Sequence, residues 1–489
     1  MGAARFHAVF CGFVRSERRR PDDYSRGVPS LAPTELPWRA PRHELLLLAL
    51  VAVAALSVVY PSGAQDVSRL CLTRAAAHGH LSADACLAGA VDVASYGGHL
   101  YSDKAPGVSM LAIPVAEAVG LRDPSQWHHT GDLRLWAVRA AVGGLALLLC
   151  AFLAGRVAEG LVPGTGGPTL VALALGTPAA ALALDDFAHV PGGALGFAAF
   201  VLAWRRRPFL AGLAAGAAVL VEYETGVVAL VLAGYVLLSG WRALGRYVLG
   251  VVPAALALGA YNGAAFGSPF HLSYRYVADA FAANQAAGFF GIHAPSWHAV
   301  RLVFVGDQGL VFDAPFLLAA AVGLAFLWRS RRPEAAVCTI VVLAFLALNC
   351  GYFDPYGGDS PGPRFVTPAL PFLVLGLPFV LARLRILGAA LIAASVVAST
   401  AIALTWPAAV NASERYHGTI WRRIAGVLQH GTGDPLASWV QKNVLSWVGA
   451  GRLGTAVVVT SAALAALVLA FRRADASSPR PSAAGSPRA

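Results

Sequence analysis

Charge is what this chain has least of. Asp, Glu, Lys and Arg make up 13% of its 489 residues, 57% are hydrophobic, and the mean hydropathy is +0.62. Soluble domains carry about 25% charged residues, so the balance excludes a water-soluble globule and implies a polytopic membrane protein. Lysine is scarcer still: Lys104 and Lys442 are the only two, leaving 35 arginines among 37 basic residues. The six cysteines include no Cys-x-x-Cys pair, which excludes a zinc ribbon or a dense disulfide framework. There is no Gly-x-x-x-x-Gly-Lys run and no dinucleotide fingerprint, and Gly164-Thr165-Gly166-Gly167 reads as a flexible turn. The connections on the arginine-rich side are too short to hold a nucleotide or nucleotide-sugar, so an activated substrate must arrive through the membrane.

What the chain has in abundance is long apolar runs. At ~17–25 residues per span, they predict helices near 44–60, 134–155, 168–185, 189–204, 208–224, 225–239, 246–266, 309–328, 334–352, 366–382, 386–406 and 453–471. The expected class is all-α, an integral membrane protein of about 12 transmembrane helices. The net charge of +11 is distributed in a way that argues against nucleic acid. Arg205-Arg206-Arg207, Arg242 with Arg246, Arg329 with Arg331-Arg332, Arg383 with Arg385, and Arg472-Arg473 all fall on one side of this topology, as the positive-inside rule requires. Both termini are then cytoplasmic. Residues 1–43 and 473–489 read as disordered tails, 44–407 as the main membrane domain, 408–452 as an outer loop with amphipathic segments, and 453–472 as the last span. Val108–Leu121 is too short for a comfortable span, and counting it would invert every later loop. It is expected to lie on the outer surface, within a first outer loop of 61–133.

The candidate chemistry sits outside. Tyr101-Ser102-Asp103-Lys104-Ala105-Pro106-Gly107 places a rare lysine before a Pro-Gly turn, where a compact ammonium suits better than a guanidinium fork. Carboxylates near the outer ends of spans are costly and mark a polar cavity or substrate path. They are Asp66 after the first span, Asp185 and Asp186 after the third, Glu222 at a hairpin tip, and Asp313. Glu224, beside Glu222, is expected to snorkel to the interface. His189 and Arg364 also lie outside, as do Phe270, Tyr274, Phe281, Phe289, Phe290 and Trp297, which suit a sugar-binding or membrane-interface surface. Cys71 and Cys86 share the outer loop, either bridged or as two free thiols.

A carboxylate just after the first span, a helix with Ser68-Arg69, the Tyr101–Gly107 run, an apolar surface segment and Arg139 early in the next span together resemble the first periplasmic loop of the GT-C membrane glycosyltransferases. These include the protein O-mannosyltransferases, the lipid A aminoarabinose transferases and bacterial relatives. Further along, His189 after Gly176-Thr177, Glu222-Tyr223, Tyr261-Asn262 and Gly362-Pro363-Arg364 resemble a bacterial subgroup. The chain departs from the pattern in having Gln65-Asp66 for an Asp-Glu pair and Lys104-Ala105-Pro106 for Lys-Pro-Pro.

The resemblance implies an enzyme that moves a hexose or pentose from a polyprenyl-phosphate donor to a cell-envelope acceptor, with inversion, at the outer face of the cytoplasmic membrane. It implies Asp66 as general base, Lys104 and Arg364 on the lipid phosphate, and Asp186, Asp185, His189, Glu222, Tyr101 and Arg69 as substrate-binding residues. No cofactor and no essential divalent metal are expected, and the partners are the donor, the acceptor and the bilayer. The alternatives are a flippase of lipid-linked sugars, which would show an internal repeat and polar loops on both faces, and an inactive scaffold of the same fold.

Overall fold

The computed structural model describes residues 42–58, 63–121, 133–184, 188–358, 360–405, 418–430 and 451–476. They form an all-α membrane protein in which each long apolar run of the sequence becomes a helix, whole or broken. Six described helices are long and apolar enough to cross a membrane: Leu133–Leu161, Trp241–Phe266, Arg332–Gly351, Arg364–Arg383, Arg385–Thr405 and Leu453–Arg472. Gly166–Leu175, His189–Trp204, Pro208–Val221 and Tyr223–Leu237 are apolar but shorter.

Two of the expected helices are broken, each at a proline, which lacks an N–H and clashes with the preceding turn. The run expected over 168–185 stops at Leu175 and resumes as Ala179–Ala183, with Pro178 between. That expected over 309–328 splits at Pro315, where the segment Trp297–Asp313 meets Phe316–Ser330 at 91°. The helix Arg364–Arg383 contains Pro368, Pro371 and Pro378 and alternates between 3₁₀ and α turns. It is buried almost throughout, with Phe372 edge-on to Phe197 at 5.3 Å. Apolar packing on every side compensates its weak backbone ladder.

The arginine-rich connections gather at one end of the bundle. Arg206 donates to Ser239, Tyr235 Oη donates to Glu334 Oε1 at 2.8 Å, the Arg383 guanidinium lies 4.2 Å from the Phe326 ring, and Arg385 Nη2 donates to the Phe471 carbonyl at 3.4 Å. Nearby, the Gly164–Gly167 turn is already closed on itself: Glu159 accepts the Gly164 and Gly166 amides, each at 2.9 Å, so these donors are not open to a phosphate.

The opposite end carries the ordered loops. Ala64–Ala77 is a helix joined by the Cys71–Cys86 disulfide to a short helix, Asp84–Leu87. A β-hairpin follows, Val93–Tyr96 paired antiparallel with His99–Ser102 in the register Val93↔Ser102 and Ala94↔Tyr101. The hairpin is an addition to the all-α expectation. Its turn is Gly97-Gly98, with φ of 60° and 84°, a conformation that a two-residue hairpin turn needs and that glycine supplies without strain. Gly107–Val119 then forms the helix expected on the surface, ended by Gly120. It packs against Ala64–Ala77 through Leu70, Ala112 and Ala116. A Cβ on Gly107 would stand 2.5 Å from the Leu220 carbonyl oxygen, so only glycine lets this helix start against the C-terminal end of the helix Pro208–Val221.

The loop 267–308 closes over the β-hairpin. Ala94 bridges Val277, Ala278 N–H donates to the Val93 carbonyl at 2.9 Å, and Asp279 Oδ2 accepts the amides of Asp92 at 2.6 Å and Val93 at 3.3 Å.

Candidate active site

Asp66 is the third residue of its helix, where a carboxylate caps the first-turn amides. Its Oδ2 accepts the Gly63 N–H at 2.6 Å. Its Oδ1 accepts from Arg139 twice, Nε at 2.9 Å and Nη2 at 2.6 Å, and both side chains are 1% exposed. Arg139 directly precedes a π-turn, Ala140–Gly144, of the kind that commonly re-aims side chains at functional sites.

Three residues on, Arg69 shares the inward face of the helix, since i and i+3 positions neighbour each other. Its Nη1 donates to the Ala105 carbonyl at 3.2 Å and its Nη2 lies 3.6 Å from Glu222 Oε2. The same Glu222 oxygen is 3.6 Å from His189 Nδ1, and the His189 ring stands 5.2 Å from Phe365. Glu222 caps the C-terminal end of Pro208–Val221. Burial raises its carboxyl above the ordinary value, and the charges of Arg69, Lys104 and Arg364 offset part of that rise.

Lys104 is clamped. Its Nζ lies 2.8 Å from Asp92 Oδ1 and 3.2 Å from Asp103 Oδ2, and 5.8 Å from the Tyr274 ring centroid. Burial alone would push the ammonium towards neutrality, but Asp103 and Asp92 outweigh it and hold the charge. One ammonium serves two carboxylates, so burial prevails at the more distant one and drives Asp103 up to about 7. Asp92 takes the left-handed conformation at φ 63°, which costs a non-glycine residue about 1–3 kcal/mol. The Asp279 carboxylate on its amide and Ser68 Oγ, donating to its carbonyl at 2.6 Å, hold it there.

Asp92, Asp103 and Asp279 bring one carboxylate oxygen each within 4.8 Å of the others. That donor set suits a hard divalent cation, but the Lys104 ammonium already stands against two of its members, and a metal there would have to displace it.

Buried polar atoms without a protein partner gather here. They include Arg69 Nε, Asp103 Oδ1, Glu224 Oε2 and Tyr261 Oη. A buried unsatisfied group costs about 1–3 kcal/mol, and such atoms are what a polar ligand could satisfy.

The structure therefore gathers Asp66, Arg69, Lys104, His189 and Glu222 from four separate stretches of chain. Arg364 reaches the same group: its charge acts on Glu222 and His189, and its guanidinium carbon is 5.1 Å from the Phe365 ring. Asp185 and Asp186 lie outside the described residues. Tyr101 sits apart from this group. Its side chain is turned into an apolar cluster with Leu72, Tyr261 and Phe266, 5.3 Å from the Phe266 ring, because strand alternation sends it to the face opposite Ser102. Glu224 departs too: instead of snorkelling it buries one carboxylate oxygen. The cysteine alternative closes in favour of the bridge.

Sequence reasoning named Tyr274 only among the outer aromatics, passed over Asp92, Asp103 and Asp279 as site residues, and did not pair Arg139 with Asp66. Asp103 stood in plain view beside Lys104. The others are separated from their partners by tens to hundreds of residues, with no local pattern to signal them.

No family model matches the chain, and no curated protein matches it. Among solved structures, ArnT from Cupriavidus metallidurans bound to undecaprenyl phosphate is similar over 89% of this chain and 77% of its own, at 16% identity and a TM-score of 0.48. The Archaeoglobus fulgidus oligosaccharyltransferase complexed with Zn and sulfate is similar over 82% of this chain and 57% of its own, at 14% identity and a TM-score of 0.46. The oligosaccharyltransferase AglB of the same organism, with an inhibitory peptide and a dolichol-phosphate, gives 13% identity and a TM-score of 0.40 over 88% of this chain and 56% of its own.

Proposed function

We propose that this protein transfers a hexosyl or pentosyl group from a polyprenyl-phosphate donor to a hydroxyl of a cell-envelope acceptor, at the outer face of the cytoplasmic membrane. The observation that carries the reading is the buried cluster of mixed charge at the loop-bearing end of an apolar bundle. Arg69, Lys104, Arg139 and Arg364 converge there with Asp66, Asp103 and Glu222, at the end away from the arginine-rich connections. A membrane-embedded cluster of this kind is costly and serves a substrate that is itself charged and lipid-borne.

In the reaction, the acceptor oxygen attacks the anomeric carbon as the carbon–oxygen bond to phosphate breaks. The bonding electrons leave with the phosphate and the acceptor proton passes to a base. Because phosphate departs as a stable anion, one base suffices where glycoside hydrolysis ordinarily uses two carboxylates. Asp66 is the proposed base. A carboxylate offers about four acceptor positions; Arg139 occupies two at Oδ1 and Gly63 one at Oδ2, which leaves one for the acceptor hydroxyl. Lys104 and Arg364 neutralise the phosphate as its charge grows. Lys104 would exchange part of its contact with Asp92 and Asp103 for the phosphate. Glu222, His189, Asp185, Asp186 and Arg69 orient the sugar and the acceptor, and no step needs a divalent metal.

Incubating the purified protein with labelled polyprenyl-phosphate sugars and envelope extract tests the reading. Transfer of label to extract that is abolished in Asp66→Asn supports it. Facilitated movement of the intact donor across vesicles, without transfer, would replace it with the flippase alternative.

A further inference from the structure

No step of the proposed reaction uses Asp279, yet its carboxylate is tied to the residue that grips Lys104. Its Oδ2 accepts two backbone amides of the first outer loop, Asp92 at 2.6 Å and Val93 at 3.3 Å. Its Oδ1 accepts the Phe281 amide at 2.8 Å, which fixes the carboxylate within its own loop. The bond to Asp92 is the one that bears on function. Asp92 ends the extended backbone of Val93–Tyr96 with φ at 63°, and from there its Oδ1 lies 2.8 Å from Lys104 Nζ.

The left-handed conformation disfavours a residue other than glycine by about 5- to 150-fold. A hydrogen bond to a charged acceptor favours its own geometry by about 10- to 150-fold. The two effects are of one size, so the Asp279 carboxylate decides whether Asp92 stays left-handed. The Asp92 carbonyl is held as well, by Ser68 Oγ at 2.6 Å and the Asp103 amide at 3.4 Å. Those donors fix the peptide after Asp92, whereas φ is set by the peptide before it, whose N–H is the one that Asp279 accepts. Without its clamp, the Lys104 ammonium swings on a flexible four-carbon stem. We infer that Asp279 is a positioning residue for the lipid phosphate: it sets the Asp92 backbone, and Asp92 sets the ammonium that meets the phosphate. The inference rests on the proposed role of Lys104.

The test titrates undecaprenyl phosphate into the full-length protein in detergent, with cooperative thermal unfolding as the check that each variant folds. Asp279→Ala should bind about 10- to 150-fold more weakly than the wild type, and no more weakly than Lys104→Met, since it acts through that ammonium. Asp279→Asn keeps a neutral acceptor, roughly half as strong, and should lose only about 3- to 12-fold. Ala278 N–H on the Val93 carbonyl at 2.9 Å and Ser273 Oγ on the Asp103 carbonyl at 2.5 Å should keep the loop docked in both variants.

The deciding measurement repeats the substitution in the Lys104→Met background. There Asp279→Ala should change affinity by less than about twofold, the scatter usual in such cycles, because the group it positions has gone. An architectural role would instead weaken binding equally in both backgrounds. If Asp279→Ala does not fold, the same cycle is run with Asp279→Asn, whose smaller loss should vanish in the same way. A loss that persists in the Lys104→Met background, or an Asp279→Ala affinity equal to that of the wild type, would overturn the inference and leave the lipid-phosphate reading standing. A Lys104→Met variant that binds as the wild type does would overturn the reading beneath it, and the inference with it.

Discussion

The pairing of Asp66 with Arg139 gives the sharpest way to separate chemistry from architecture. Both side chains are 1% exposed, and two contacts of 2.9 and 2.6 Å join them. Removing one partner from a pair this buried leaves a charge without its counterpart, typically at ~3–5 kcal/mol. Asp66→Asn should therefore unfold at a clearly lower temperature than the wild type. It should also lose about 10²- to 10⁴-fold in turnover if Asp66 is the base. On its own this variant is ambiguous, because an unstable protein also turns over slowly. Adding Arg139→Met resolves the ambiguity. Replacing both members of a buried ion pair by neutral groups of similar volume is often neutral or stabilising by about 1–4 kcal/mol, so the double variant should recover much of the lost stability. If Asp66 takes the acceptor proton, turnover should stay low in the double variant, since Asn in place of Asp supplies no base. Thermal unfolding in detergent and single-turnover transfer from a labelled donor are measured on the same preparations. Turnover that returns together with stability would refute the assignment, make the Asp66–Arg139 pair purely architectural, and send the search for the base to Asp185 and Asp186.

Other tests follow from neighbouring features. Lys104→Met should weaken donor binding by about 10- to 150-fold, while Lys104→Arg should restore binding better than rate, as the planar fork fits a point-charge site poorly; donor titration and single-turnover rates read the two effects apart. Asp103 has a folded pKa of about 7 against an ordinary 3.8, so its contribution to stability is fully present below pH 3.8 and is lost as pH rises through 7. Asp103→Asn should flatten that part of the unfolding temperature–pH curve, and an unaltered curve would count against the assignment. The Cys71–Cys86 bond spans 15 residues of sequence, and its removal by paired serine substitution should cost ~3 kcal/mol, read as a lowered unfolding temperature.

Much of the fold was readable because bilayer physics imposes it. An apolar run of membrane length has few alternatives to a helix, and asymmetry in arginine groups the connections at one end before any contact is known. Breaks were harder to place. Pro178 and Pro315 stand in runs whose mean hydropathy is unaffected by a single proline, so a composition window passes over them. The β-hairpin carried a signal, Gly97-Gly98 between Val93–Tyr96 and His99–Ser102, which a helix-length window is too coarse to register. In the site, chemistry that local spacing encodes was visible, Asp66 with Arg69, although Asp103 was passed over beside Lys104. What depends on tertiary return was not. Asp279 meets Asp92 across 187 residues, and Arg139 meets Asp66 across 73.

The cross-chain ties of the first loop impose an order on how this protein is made. Asp66 and Arg139 can pair once the second long helix has emerged, and Cys71 can join Cys86 earlier still, provided the loop has reached an oxidising compartment. Neither event completes the site. The left-handed Asp92 that grips Lys104 is held by Asp279, and the carbonyl of Asp103 by Ser273, so the lysine clamp waits for the loop 267–308 to be synthesised. Until then the nascent chain carries a stapled loop whose lysine has no fixed geometry. A ribosome stalled before Ser273 would leave a fragment without the lysine clamp, so the proposed active site matures only after more than half of the 489 residues have been made.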